Sequence, residues 1–400
     1  MVIRMETCTA EFARLSAPLQ GLRCDGNPFV TFTNPLTLQN WTMPVIELLM
    51  VAGMVLFLVH ALRWYRRTGD ASNLVVWITG IVALLLIEPI AYFPQWFGLE
   101  QKMGLTFVHN QFTVQFLYDR LPLYIVAMYP VFAYLAWVLV QRTGIFRKYN
   151  VFVGAASVTF VFHALFEVVD TVGPQWRWWS WNTELSTSTP ALGVVPYLNI
   201  QSFTLGLPFG LALLTLLICK APHRGGRIIA RDVLLVSVLV WPFQFLASAP
   251  ATIVDLLGGS LESARFASVW IYTAIVAVVT IYAYVGSYRA RIADPTLVPH
   301  DARTDYVPLV YGAVYLACGA AFWIAGLNDY FAAVDGSEPG SPVGSLGYGV
   351  AAFVASIALL AASYLGTTQH AMRDHTTFPL TDYEFSCRTA DPVSKGTTQA

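Results

Sequence analysis

Residues 151–172 read Val151-Phe152-Val153-Gly154-Ala155-Ala156-Ser157-Val158-Thr159-Phe160-Val161-Phe162-His163-Ala164-Leu165-Phe166-Glu167-Val168-Val169-Asp170-Thr171-Val172. At ~1.5 Å per residue a helix of this length crosses the ~30 Å of hydrocarbon in a bilayer. It nevertheless carries His163, Glu167 and Asp170, at i, i+4 and i+7. On a helix these three share one face. An ionisable side chain inside a bilayer costs roughly 2.5–3.5 kcal/mol on insertion scales, so that face has to look into protein or water.

Similar apolar runs recur along the chain. They lie at approximately 43–62, 74–94, 117–140, 194–219, 232–256, 267–287, 307–333 and 343–365, which with 151–172 makes nine predicted spans. The composition agrees: 400 residues are 56% hydrophobic and 12% charged, with a mean hydropathy of +0.57. So few charges cannot cover a soluble globule, and a disordered chain or coiled coil is equally excluded. A net charge of −1 gives no footprint for nucleic acid. The expected fold is an all-α polytopic bundle of nine transmembrane helices.

Basic residues set the expected orientation. With the N-terminus outside, sixteen of the 23 Lys and Arg residues fall in cytoplasmic segments and six outside. The bias favours the cytoplasmic side at four of the five inside segments, as the positive-inside rule requires, and is even only around the first span. The organisation that follows is an extracytoplasmic N-terminal tail (1–42), a seven-helix core (43–287), a cytoplasmic loop (288–306), a two-helix hairpin (307–365) and a disordered cytoplasmic tail (366–400). The tail 1–42 lacks the apolar core of a cleavable signal peptide. Cys8 and Cys24 both fall in it, where a disulfide is one outcome and two free thiols the other. In the hairpin, Gly312, Gly319 and Gly326 recur every seven residues. Such small residues suit close packing, within the chain or in an oligomer.

Further polar residues cluster in the outer halves of the spans. These are Glu47, Glu88, Asp119, Arg120, Tyr124, Asn199, Gln201, Ser202, Gln244, Asp255, Asn328 and Asp329. Their concentration predicts a polar cavity open to the extracytoplasmic side. The bland alternatives are a His163–Glu167 bond within one turn, Asp119 and Arg120 in the headgroup layer, or Arg120 neutralising Glu167 or Asp170. The segment Trp176-Arg177-Trp178-Trp179-Ser180-Trp181-Asn182 reads as an interfacial aromatic belt or as a lid over the cavity. His109 in the preceding outer loop is placed to add a second imidazole.

This residue set is compatible with a divalent metal held by His163, Glu167 and Asp170 with His109 or Glu88, although the spacing is not a specific signature. Without a metal, Glu167 or Asp170 is placed to act as a general acid, the role needed to protonate an alkene or an alkoxide leaving group. The same carboxyls would serve a proton-coupled transporter. No nucleotide-binding glycine loop, HExxH, GxSxG or CxxCH motif occurs.

A local resemblance bears on this choice. Glu167…Asp170…Gly173-Pro174…Trp176-Arg177-Trp178, then Gly193-Val194-Val195-Pro196-Tyr197-Leu198-Asn199, then Gly206-Leu207-Pro208-Phe209-Gly210, resembles the pattern of membrane carotenoid hydratases. The match covers residues ~167–210. It implies acid-catalysed chemistry on a long isoprenoid, with Asp170 and Asn199 near the reacting end. The leading expectation is therefore a membrane enzyme performing acid–base chemistry on an apolar lipid or isoprenoid. In its catalytic set Glu167 would be the acid, His163 would orient it or serve as base, and Asp170, Asp119 and Arg120 would set charge; Glu88, His109, Tyr124, Trp178, Asn199 and Gln201 would be substrate contacts. A proton-coupled transporter or channel-like protein is the alternative, and a membrane scaffold the third.

Overall fold

The structure is a computed structural model and describes residues 7–19, 26–100, 104–219, 225–298, 300–333, 337–338, 341–342 and 344–366. Among these residues, nine helices are long and apolar enough to cross a membrane. The spans are α2 (Thr42–Thr68), α3 (Ser72–Tyr92), α4 (Leu123–Arg142) and α5 (Val151–Asp170), then a π-helical turn (Asn199–Gly206) running into α6 (Leu207–Ile218). The remainder are α7 (Gly226–Leu239) with α8 (Trp241–Leu256), α9 (Leu261–Ala293), α10 (Val307–Ala332) and α11 (Leu346–Tyr364). A short helix α1 (Ala10–Ser16) precedes them. Cys8 is disulfide-bonded; Cys24, the other cysteine of the N-terminal tail, lies outside the described residues. The expected disordered tail also lies outside them, apart from Gly366.

Burial orders the bundle. The most apolar stretch of α4 is 89% buried and that of α5 78%, against 33% for α2 and 28% for α9. Helices α4 and α5, with the 83% buried span of the π-helical turn and α6, therefore form the centre. The outer helices turn Leu, Ile and Val outward, as lipid-facing helices do. Where α3 crosses α4 the backbones nearly touch: a Cβ on Gly80 would stand 2.8 Å from Pro130 Cα. Pro242, at the start of α8, breaks the α7–α8 span, because its ring removes one backbone donor. Around the loop expected at 288–306, α9 continues to Ala293, and single turns follow at Pro295–Leu297 and His300–Arg303.

The helix ends nearest α1 carry a cap. Strands β1 (Val30–Phe32), β3 (Val114–Phe116) and β4 (Leu121–Pro122) form one antiparallel sheet. Strand β2 (Phe107–His109) pairs with β5 (Trp179–Trp181), setting His109 opposite Trp179 and Phe107 opposite Trp181. Another ladder joins β6 (Pro190–Leu192) to β7 (Val195–Pro196). The Glu47 carboxylate accepts from Thr113 N (3.0 Å) and Val114 N (3.1 Å), fastening β3 to α2.

The cap corrects two expected span boundaries. The third span does not open at 117, because Leu117, Tyr118 and Asp119 take positive φ angles of 53°, 57° and 62° in a turn joining β3 to β4. L-residues cannot sustain a helix in that region, and α4 begins only after Pro122. The fifth span begins at Asn199 rather than 194, since β7 occupies Val195–Pro196.

The contact between α3 and α4 yields a prediction. Gly80→Val forces two backbones apart and is expected to remove about 1–3 kcal/mol of stability. Gly347→Ala meets no atom within 4 Å and should change nothing. Thermal unfolding of both variants in detergent measures the difference, and equal midpoints would refute this packing.

Candidate functional site

Helix α5 presents His163, Glu167 and Asp170 to the interior, and all three are at most 3% exposed. The π-helical turn meets them. Asn199 Nδ2 donates to Asp170 Oδ2, and Thr204 Oγ1 lies 2.8 Å from His163 Nδ1. Asn199 and Thr204 are five residues apart, a spacing that an α-helix splays and i→i+5 winding brings together. Pro208 supplies the cause. It has no N–H to give to Thr204 O, and the preceding amide, Leu207 N, bonds Ser202 O in the i→i−5 register. On the far side of His163, Tyr348 OH of α11 lies 2.8 Å from Nε2. Glu167 Oε1 stands 3.4 Å from His163 Nδ1.

Asp170 and Asn199 also border a cavity of about 40 Å³ beneath the cap. Its other polar walls are Glu88 of α3 and His109 of β2; Phe107, Ile125, Met128, Tyr129, Phe166, Trp179, Trp181 and Phe203 complete it. That space holds about three water molecules. Tyr92, Phe107, Tyr124 and Trp179 surround the His109 ring edge-on, with centroids 5.3–6.0 Å away. Tyr124 OH lies 3.1 Å from His109 Nδ1. Burial pushes the His109 imidazole down to about 3, because the aromatic cage cannot solvate the cation. At neutral pH it is an uncharged hydrogen-bonding group. Among the described residues, no Lys or Arg pairs with Glu88, Glu167 or Asp170.

The expected site residues thus divide. Glu88, His109, Asp170 and Asn199 line the cavity. Tyr124 adjoins it through His109, and His163 and Glu167 form the next layer along α5. Asp119 and Arg120 are not brought there. Arg120 lies over the Phe12 ring at 2.9 Å and donates to Thr7 O, in the cap. It neutralises neither Glu167 nor Asp170; burial against α1 pushes it down to about 9, offset in part by Asp119. Asp119 O accepts from Gln115 Nε2 at 3.0 Å. Trp178 Nε1 donates to Thr42 Oγ1 at 2.8 Å, away from the cavity. Gln201 is buried on the π-helical turn but is not a cavity wall.

Several site residues were not anticipated. Tyr129 follows Tyr124 on the buried α4, and Thr204 and Tyr348 meet His163. Trp179 and Trp181 belong to the tryptophan cluster at 176–182; strand alternation turns both toward the cavity and Ser180 away. Among the described residues, no group of three His, Cys, Asp or Glu side chains is disposed to hold a metal ion. The chain matches no family model, no curated protein and no solved structure in the comparisons made with each.

The caged imidazole carries a pH prediction. Below pH 6.5 an unfolded histidine takes up a proton that folded His109 refuses until about pH 3. This residue's contribution to stability is therefore complete above 6.5. It falls by about 1.4 kcal/mol per pH unit as pH drops through that window. His109→Gln cannot titrate there. The wild-type unfolding midpoint should fall more steeply than the variant's between pH 7 and pH 5, and parallel curves would overturn the assignment.

Proposed function

We propose that this chain is a multi-pass membrane enzyme that performs acid–base chemistry on an apolar, unsaturated lipid or isoprenoid. The Lys and Arg distribution supports an orientation with the cap on the extracytoplasmic side. One observation carries the reading: two carboxyls without a cation, Glu88 and Asp170, share a small aromatic-walled cavity with the uncharged His109. A mostly apolar pocket with a few convergent polar groups is the general form of a small-molecule site.

In this reading Asp170, oriented by Asn199, gives a proton to one carbon of a double bond at the substrate's end. Water adds to the adjacent cationic carbon, and Glu88 takes the proton that the water loses. Alkene and water become an alcohol, and proton exchange between the carboxyls and solvent restores both groups. About 40 Å³ accepts water and the last carbons of a chain, so the β2–β5 ladder has to move for anything larger. His163 holds the α5 face through Thr204 and Tyr348.

Proton-coupled transport is the second reading, favoured by a further polar chain near the opposite helix ends. His60 Nδ1 lies 2.6 Å from Tyr134 OH, and its Nε2 2.5 Å from Asp305 Oδ2. Asn73 Nδ2 continues to Gln141 Oε1 at 3.3 Å. A transporter would use both ends.

Mass spectrometry of lipid and pigment extracts separates the readings. A strain lacking the chain should accumulate a precursor that wild type clears. Asp170→Asn and Glu88→Gln should each slow its clearance about 10²-fold or more while the protein still reaches the membrane. Identical extracts with and without the chain would overturn the enzyme reading. Proton-gradient-dependent flux in liposomes, abolished by Asp170→Asn, would then support transport.

A further inference from the structure

A groove of about 660 Å³ separates α2 from α10 near the helix ends that carry Arg63 and Arg67. Its α2 wall is one helical stripe: Leu49, Ala52, Leu56, His60, Arg63 and Arg67 follow at steps of three and four. The stripe is apolar through Leu56, then polar, then basic. Val310 and Val314 of α10 face it, both largely exposed. Tyr311 closes the floor, its OH donating to Leu49 O at 3.0 Å.

The charges in the groove do not cancel. Asp305 is committed, since Oδ2 lies 2.5 Å from His60 Nε2 and Oδ1 accepts from Val307 N at 3.0 Å. Arg63 and Arg67 are exposed, and no acidic side chain among the described residues pairs with either. A cationic rim above an apolar trough calls for a ligand that is anionic at one end and apolar at the other.

Length agrees with that chemistry. From Leu49 to His60 is eleven residues, or ~16 Å of helix. One leaflet supplies about half of the ~30 Å hydrocarbon thickness. We infer that this groove is a binding site for an anionic phospholipid of the adjoining leaflet. Its phosphate lies on Arg63 and Arg67, and one acyl chain runs along Leu56, Ala52 and Leu49 against Val310 and Val314. The site is separate from the cavity under the cap and does not depend on the reaction proposed there.

The test exposes the delipidated full chain in detergent to phosphatidylglycerol and phosphatidylcholine with identical acyl chains, and counts retained lipid by native mass spectrometry. Wild type should retain the anionic lipid about tenfold better. Arg63→Gln with Arg67→Gln should reduce the ratio to near one. Arg66→Gln, on the same helix outside the groove, should leave it intact. Val310→Trp, which fills the trough, should lower retention of both lipids. Equal retention by wild type would overturn the inference. An Arg66→Gln effect as large as the double variant's would also overturn it, since it indicates unspecific attraction to a basic surface. Displacement of the lipid by equimolar glycerol phosphate would show that no acyl chain is bound, with the same consequence.

Discussion

The hydrogen bond between Asn199 and Asp170 joins the two elements on which the cavity depends. A partner that moves with it stabilises a buried carboxyl in a membrane-length helix, because lipid supplies none. Asn199 meets that need from the first residue of a π-helical turn, and Thr204 does the same for His163 five residues later. The π winding follows from Pro208, which cannot close the α-helical bond to Thr204 O. One imino acid at the head of α6 thus decides how two polar groups on α5 are met.

The cap acts on the same site from above. Its αL turn at 117–119 is unfavourable by roughly 1–2 kcal/mol per residue for L-amino acids. Local and tertiary bonds hold it: Gln115 Nε2 donates to Asp119 O and to Asn110 O nearby, and Tyr118 N donates to the remote Asn27 O. The second ladder is anchored through Asn182, which donates to Leu105 O at 3.0 Å and to Glu11 Oε1 at 2.6 Å. That anchoring fixes Trp179 and Trp181 over the cavity. A transmembrane bundle alone would leave Asp170 open to water, so the enclosure comes from segments between the spans.

Span number and the polar face of α5 were legible in the sequence, because both follow from periodicities that lipid enforces. Polarity singles out Glu88, His109, Asp170 and Asn199 in the sequence, and the fold brings them to one cavity. Asp119 and Arg120 misled for a specific reason. Hydropathy could not distinguish a two-strand turn from a helix start, since the αL conformation at 117–119 is held by a local bond from Gln115 and by Asn27, about ninety residues away. Thr204 escaped because an α-helical wheel places it away from Asn199. Tyr348 comes from the last span, about 180 residues beyond His163, and no local pattern links the two. Choosing Trp178 over Trp179 reflects the unseen register of β5 against β2.

The two polar networks bear on enzyme against transporter through what lies between them. From Tyr129, at the cavity, to Tyr134, at the His60 end, α4 passes a belt of Phe132, Phe162, Phe166 and Tyr315. Phe132 packs on Tyr315 at 5.1 Å and on Phe166 at 5.4 Å. Tyr315 turns its hydroxyl aside to Leu165 O at 2.6 Å, so the one polar atom in the belt is already engaged. Proton relay across this layer needs a chain of hydrogen-bonding groups or waters, and close-packed aromatic rings exclude both. Opening it would separate α4 from α5, two of the three most buried spans, at a large loss of apolar contact. Opening the cap breaks the three-residue β2–β5 ladder and exposes Trp179 and Trp181, but leaves the packing of α4 on α5 in place. Access from one side alone is what acid–base chemistry on a membrane-dissolved substrate requires, whereas alternating access requires both.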